Sequence, residues 1–143
     1  MILTITGLLK AKNPKNAEKL LRTFGKAISL DFSIFDYEPY LNDQSTYRFH
    51  CQIELEEQNL KDAYFEIPFR FANVYDRWNM SVPHHFEDDI WNFSGYSEKT
   101  TIPGVEIVKF DVKGQILNES QKSEDNINVD IMKKNNTFFS YVR

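Results

Sequence analysis

The alternation of apolar and polar residues between Tyr47 and Phe71 constrains the fold more than any other feature of the sequence. Every second residue of its first half is apolar: Tyr47, Phe49, Cys51, Ile53 and Leu55. After the polar segment 57–62 the alternation returns, with apolar side chains at Phe65, Ile67, Phe69 and Phe71. A period of two is typical of strands with one buried face, so the segment predicts a hairpin that needs an apolar cover.

The segment after Asn13 supplies that cover as a helix. Asn13 is a suitable N-cap, and Pro14 is tolerated in the first helical turn because its missing N–H has no partner there. The apolar residues then follow helical spacing: Ala17, Leu20, Leu21, Phe24, Ala27 and Ile28. A second stripe is basic and consists of Lys15, Lys19, Arg22 and Lys26. Such a stripe is usually solvated, although it is also suited to contacting phosphates.

The rest of the chain predicts further strands. They cover residues 2–9, 30–34 (ended by Pro39) and 105–112, where the apolar phase shifts at Val108 as in a β-bulge. Pro68 places its predicted strand at an edge or a bulge. We therefore predict a single α+β domain over residues 1–143, in which one N-terminal amphipathic helix packs on a curved, mostly antiparallel sheet of about seven strands. Residues 113–126 are predicted to be a mobile loop before a C-terminal hairpin.

Residues 72–99 show no regular periodicity and are predicted to form a long surface excursion, with one short strand near 90–93. Aromatic side chains and an acidic run are concentrated in this excursion. Long loops in compact domains often carry function, and Tyr and Trp are effective interface anchors. The predicted partner-binding residues are Tyr75, Trp78, Glu87, Asp88, Asp89, Trp91 and Tyr96.

The charge is distributed unevenly along the chain, whose net charge is −4. Residues 1–28 contain six Lys or Arg and one Glu, whereas residues 29–143 contain eleven Lys or Arg and twenty Asp or Glu. A nucleic-acid binder would present a dominant basic surface, so we expect no direct binding to nucleic acid. An acidic body is suited to a basic protein partner.

The single cysteine, Cys51, lies on the apolar side of its predicted strand and is interpreted as a core residue. No apolar run reaches the length of a membrane span, and the first residues lack the pattern of a signal peptide. We therefore expect a cytoplasmic protein that does not bind membranes.

Common catalytic and cofactor motifs are missing: there is no glycine-rich phosphate loop, no GxSxG and no CxxC pair. Two groups of residues offer weaker alternatives. His84 and His85 precede an acidic run, although two ligands without a third do not make a metal site. On the predicted hairpin, His50 shares the polar face with Arg48 and Arg70, which would suit a phosphodiester or RNA site or an ordinary solvated surface.

Two functions remain open. The first is a binding module that inhibits another protein, without a cofactor or metal; the second is a small enzyme or ligand- or RNA-binding domain that uses His50, Arg48 and Arg70 or His84 and His85. The short, acidic chain is rich in Lys, Asn, Ile and Phe, and contains Trp91 to Tyr96 followed by an Ile102-Pro103-Gly104-Val105 turn. In these features it resembles the immunity proteins of bacterial polymorphic toxin and contact-dependent growth inhibition systems. The resemblance is one of overall character and transfers no site residues. It implies a cytoplasmic antitoxin that binds and neutralises a cognate toxin domain, commonly a nuclease, and that is not an enzyme.

Overall fold

The computed structural model of the protein describes residues 1–41, 43–86 and 89–116. Seven strands and two helices follow one another in the order β1 (Ile2–Lys10), α1 (Pro14–Ala27), β2 (Asp36–Tyr40), β3 (Asp43–Glu54), α2 (Leu60–Phe71), β4 (Asn79–Met80), β5 (His84–His85), β6 (Ile90–Lys99) and β7 (Val105–Gln115). A short 3₁₀ turn at Phe32–Ile34 precedes β2. The fold class is α+β, as predicted.

All seven strands belong to one open sheet in the order β2-β3-β1-β7-β6-β4, with β5 paired to another part of β6. Every pairing is antiparallel. The central strand is β1, which pairs with β3 on one side and β7 on the other. The predicted number of strands and their mainly antiparallel pairing are therefore confirmed.

The helix α1 begins where the sequence predicts. The Asn13 side chain accepts a hydrogen bond from the Asn16 amide at 2.8 Å, and Pro14 lies in the first turn. Ala17, Leu21 and Phe24 are buried, whereas the basic stripe is exposed. Two details of the prediction are wrong: α1 follows β1 rather than lying at the N terminus, and a second helix is present.

The second helix, α2, replaces the strand predicted for residues 64–71. Asn59 caps it by accepting a hydrogen bond from the Asp62 amide at 2.9 Å. Its buried residues, Leu60, Ala63, Tyr64, Ile67 and Phe71, follow helical spacing, whereas Phe65 and Phe69 are exposed. The alternation of apolar residues that predicted a strand is therefore found in a helix, where only part of those residues face the core. Pro68 accordingly lies inside a helix instead of at a sheet edge.

Three other predicted elements also differ. Residues 32–34 form the 3₁₀ turn, and the strand predicted for residues 30–34 is found later in the chain, as β2. Pro39 lies within this edge strand instead of ending it. The excursion predicted for residues 72–99 contains β4, β5 and the ten-residue β6. Strand β7 extends to Gln115, into the predicted loop 113–126, whereas residues 117–126 and the predicted C-terminal hairpin lie outside the described residues.

The bulge predicted near Val108 is confirmed. The register of β1 against β7 shifts between Thr6 and Leu8, and Ile107 adopts a positive φ of 53°. This irregularity lets Val105 and Val108 both enter the core, although their spacing of three residues does not fit a regular strand.

Both helices cover the same face of the sheet. Phe24 of α1 contacts Phe49 of β3, with ring centroids 5.3 Å apart, and Phe71 of α2 stacks on Phe110 of β7 at 4.2 Å. Described residues of the opposite face are largely polar and many are exposed, among them Arg48, His50, Gln52, Lys109, Asp111 and Lys113. We call this surface the open face. Neither described helix has the length and apolar character that a transmembrane span requires.

Candidate functional site

A cleft on the open face lies at the side of the sheet formed by β2, β3 and β1. Its volume is about 410 Å³, and it is lined by Thr6, Asp36, Tyr37, Glu38, Arg48 and His50. The strand register explains why these residues meet. Asp36 lies opposite His50, Glu38 lies opposite Arg48, and Thr6 lies opposite His50 on the other side of β3.

The two acidic residues of the cleft differ in their partners. Glu38 accepts a hydrogen bond and ion pair from the Arg48 guanidinium at 2.6 Å. Asp36 forms neither an ion pair nor a side-chain hydrogen bond with any residue in the described part of the chain. Because directly opposed side chains in an antiparallel pair are only about 5 Å apart at Cβ, the Asp36 carboxylate and the His50 imidazole are neighbours.

Further carboxylates extend the acidic character beyond the cleft. Asp31 and Asp43 are exposed near the two ends of β2, and together with Asp36 and Glu38 they form what we call the acidic edge. Hydrogen bonds from the Ser33 amide to Asp31, and from the Ser45 amide and the Thr46 hydroxyl to Asp43, lower the pKa of both carboxyls. Both groups are therefore held in the ionised form well below neutral pH.

The acidic edge belongs to the most negative part of the chain. Residues 29–57 contain seven Asp or Glu and a single Arg, Arg48, which gives this segment a net charge of −6. The whole protein has a net charge of −4. Arg48 is paired with Glu38, and Arg22 and Lys10 lie near enough to Asp31 and Asp43 to help lower the pKa of these carboxyls, so the negative charge of the edge is partly offset.

The structure does not bring the sequence-predicted partner-binding residues together. Asp89 and Tyr96 are both half-buried near opposite ends of β6, about 23 Å apart along an extended strand. Tyr75 is half-buried, and its carbonyl accepts a hydrogen bond from the Trp78 indole at 2.7 Å. Glu87 and Asp88 lie outside the described residues.

The two predicted tryptophan anchors are core residues. Trp78 is 6% exposed, donates its indole N–H to the Phe71 and Tyr75 carbonyls, and packs against the rings of Phe71 and Phe110. Trp91 is fully buried on β6. Half of the segment expected to be a loop is strand, and Trp78 and Trp91 pack into the core of the fold.

The constellation of His50, Arg48 and Arg70 is not assembled either. His50 and Arg48 lie on the open face, but Arg70 is on α2, which covers the opposite face, and it pairs with Glu66 at 3.5 Å. His84 and His85 are exposed on β5. Within the described residues, no group of three or more His, Cys, Asp or Glu is placed to hold a metal ion.

Sequence reasoning missed Asp36 and Glu38 because the strand was assigned six residues too early. Their alternation with Tyr37 and Pro39 is the signal that identifies an edge strand with both acids on one face. The pairing of Asp36 with His50 depends on the β2–β3 register, which the sequence pattern leaves open.

No protein-family model, curated protein or solved structure matches this chain.

Proposed function

We propose that the protein is an immunity-type binding module that captures and neutralises a basic toxin domain, such as a nuclease, in the cytoplasm. The observation that supports this proposal is the acidic edge, where four exposed carboxylates lie around one strand and Asp36 forms no ion pair within the described residues. Surfaces with complementary charge accelerate association and disfavour wrong partners. A basic protein is the partner that fits this edge.

The adjoining open face offers enough area for such a complex. Six strands spaced about 4.8 Å apart span about 24 Å, and a nine-residue strand is about 30 Å long, so the face covers on the order of 700 Å². A stable interface buries about 800 Å² on each partner. The open face and the acidic edge together are of that size.

The alternative function, a small enzyme or a ligand- or RNA-binding domain, has less support. Arg48 is engaged by Glu38 and Arg70 lies on the other layer, so the described residues place no unpaired arginine beside His50 to hold a phosphate. Two carboxylates line the same cleft and would repel an anionic substrate. These charges favour a cationic partner over a phosphodiester.

The test begins with affinity capture from the source cells and continues with the purified partner. We expect one stoichiometric basic protein whose toxic activity is inhibited by the wild-type protein. The double variant Asp36→Asn/Glu38→Gln is expected to weaken binding about tenfold at low salt and less at high salt, because steering between exposed charges is screened.

The matched control is Asp76→Asn/Glu66→Gln, which removes the same two charges from exposed positions; Glu66 lies on α2, on the opposite face of the sheet, and is paired with Arg70 as Glu38 is with Arg48. We expect this variant to bind like the wild type. The proposal is wrong if no basic partner is captured, if the purified partner remains active in the complex, or if both double variants weaken binding equally.

A further inference from the structure

The cleft between β2 and β1 has the size of a ligand site but lies on a protein surface proposed to bind a partner. Its volume of about 410 Å³ falls at the lower end of the range of small-molecule pockets. It therefore has room for a long side chain that projects from another protein.

The polar groups of the cleft determine which side chain is suited to it. Among the described residues, the Asp36 carboxylate forms no ion pair, and the Thr6 hydroxyl and the His50 imidazole line the same space. The arginine that lines the cleft, Arg48, is directed to Glu38 at 2.6 Å. An anion entering the cleft would be repelled by the carboxylates of Asp36 and Glu38. A cation would be attracted, and it could pair with the Asp36 carboxylate.

The geometry distinguishes between the two cationic side chains. A guanidinium is planar and matches a carboxylate with two parallel N–H···O hydrogen bonds, while further N–H groups remain for nearby acceptors such as a hydroxyl. A lysine ammonium is a compact, strongly hydrated charge that gains less from such a site. The existing Arg48–Glu38 pair shows that this strand pair already accommodates an arginine beside a carboxylate.

We infer that the cleft is the anchor pocket for an arginine side chain of the basic partner, with the Asp36 carboxylate as its direct ion-pair acceptor and the Thr6 hydroxyl as a second acceptor. This inference rests on the proposed function and specifies how the partner is held. Asp36, rather than Glu38, is the residue on which recognition depends, because Glu38 is engaged within the protein.

The experiment uses blocked arginine, N-acetyl-argininamide, as the probe and follows the backbone amides of the full chain by NMR. We expect saturable shifts confined to Thr6, residues 36–38 and residues 48–50. Blocked citrulline has the same shape without the charge and should produce no saturable shifts, and blocked lysine should bind at least about threefold more weakly than blocked arginine.

Two variants complete the design. Asp36→Asn should weaken binding of blocked arginine at least about fivefold, because the amide keeps the shape but loses the charge. Asp76→Asn, at an exposed position on another part of the surface, should leave binding unchanged. The inference fails if Asp36→Asn binds like the wild type, or if the shifts spread evenly over exposed acids such as Asp76 and Glu98.

The outcomes separate this inference from the proposed function. If a basic partner is inhibited but Asp36→Asn does not change the binding of blocked arginine, the arginine pocket is wrong and the immunity function stands. If blocked arginine binds in the cleft but no basic partner exists, the pocket stands as a site for guanidinium ligands and the immunity function is wrong.

Discussion

Trp91 of β6 occupies the space that a side chain on Gly114, its directly paired residue on β7, would need. A Cβ atom added at residue 114 would overlap the indole ring, and Trp91 is fully buried. Two other aromatic residues of the helix-covered face, Phe49 and Phe110, lie opposite glycines in the same way. Cross-strand pairs of glycine with a large ring thus form part of the core.

Replacing Gly114 with Ala should therefore lower the free energy of unfolding. Overpacking of a close-packed core costs about 1 to 3 kcal/mol, which exceeds the entropic gain of replacing glycine. Chemical denaturation monitored by tryptophan fluorescence measures the difference. Ser94→Ala, on the open face of the same strand pair, is the control and should change the stability by less than about 0.5 kcal/mol. Equal effects of the two substitutions would contradict the role assigned to this contact.

Replacing Ser29 with Gly should stabilise the protein. Ser29 follows the last turn of α1 and has a positive φ of 60°. The amides of Ser29 and Leu30 donate to the carbonyls of Lys26 and Gly25 at 3.2 and 2.8 Å, which is the hydrogen-bond pattern of a Schellman motif. Glycine adopts this conformation without a steric penalty, so we expect a gain of about 0.5 to 1 kcal/mol.

Thermal unfolding tests this prediction, with Ser33→Gly as the control. Ser33 is also exposed but lies in the 3₁₀ turn, where its φ is not positive. Glycine there should lower the melting temperature because it adds freedom to the unfolded chain. A lower melting temperature for Ser29→Gly as well would show that the conformation of residue 29 carries no strain.

The Cys51 thiol should be unreactive in the folded protein and should make stability decrease at alkaline pH. Burial raises the pKa of Cys51 from about 9 to about 11, and the side chain is 1% exposed. The unfolded chain therefore loses this proton first as the pH rises. Between pH 9 and 11 the unfolded state binds fewer protons than the folded state, so the free energy of unfolding falls with increasing pH.

Comparison with Cys51→Ala isolates this contribution, since lysine and tyrosine titrations are common to both proteins. The wild type should lose more stability than Cys51→Ala between pH 8 and pH 10.5. A disulfide reagent should modify Cys51 quickly only after denaturation. Rapid modification of the native protein would contradict the burial of the thiol.

The sequence was most informative where local interactions decide the structure. Asn13 caps the amide of a residue three positions away, and the side chains of Ala17, Leu21 and Phe24 reach the same helix face through neighbouring turns. The bulge near Val108 was likewise readable from the apolar pattern of one strand. These features involve groups within a few residues of one another along the chain.

The segment Leu60–Phe71 could not be assigned from its own pattern because its apolar residues fit both a strand and a helix. The helix places Tyr64 against Phe93 and Phe71 against Phe110, with ring centroids 4.9 and 4.2 Å apart. These contacts join residues 29 and 39 positions apart in the chain. Packing against the sheet therefore stabilises the helix in a segment where local propensity alone does not distinguish a helix from a strand.

The amino-acid sequence by itself determined the α+β class, the first helix, the core position of Cys51 and the uneven charge, because composition and short-range periodicity are sufficient for each. Only the tertiary structure decided that Trp78 and Trp91 are buried and that Asp36 and His50 share a cleft with Thr6. Strand register brings together residues 14 and 44 positions apart, and it depends on the packing of the whole sheet.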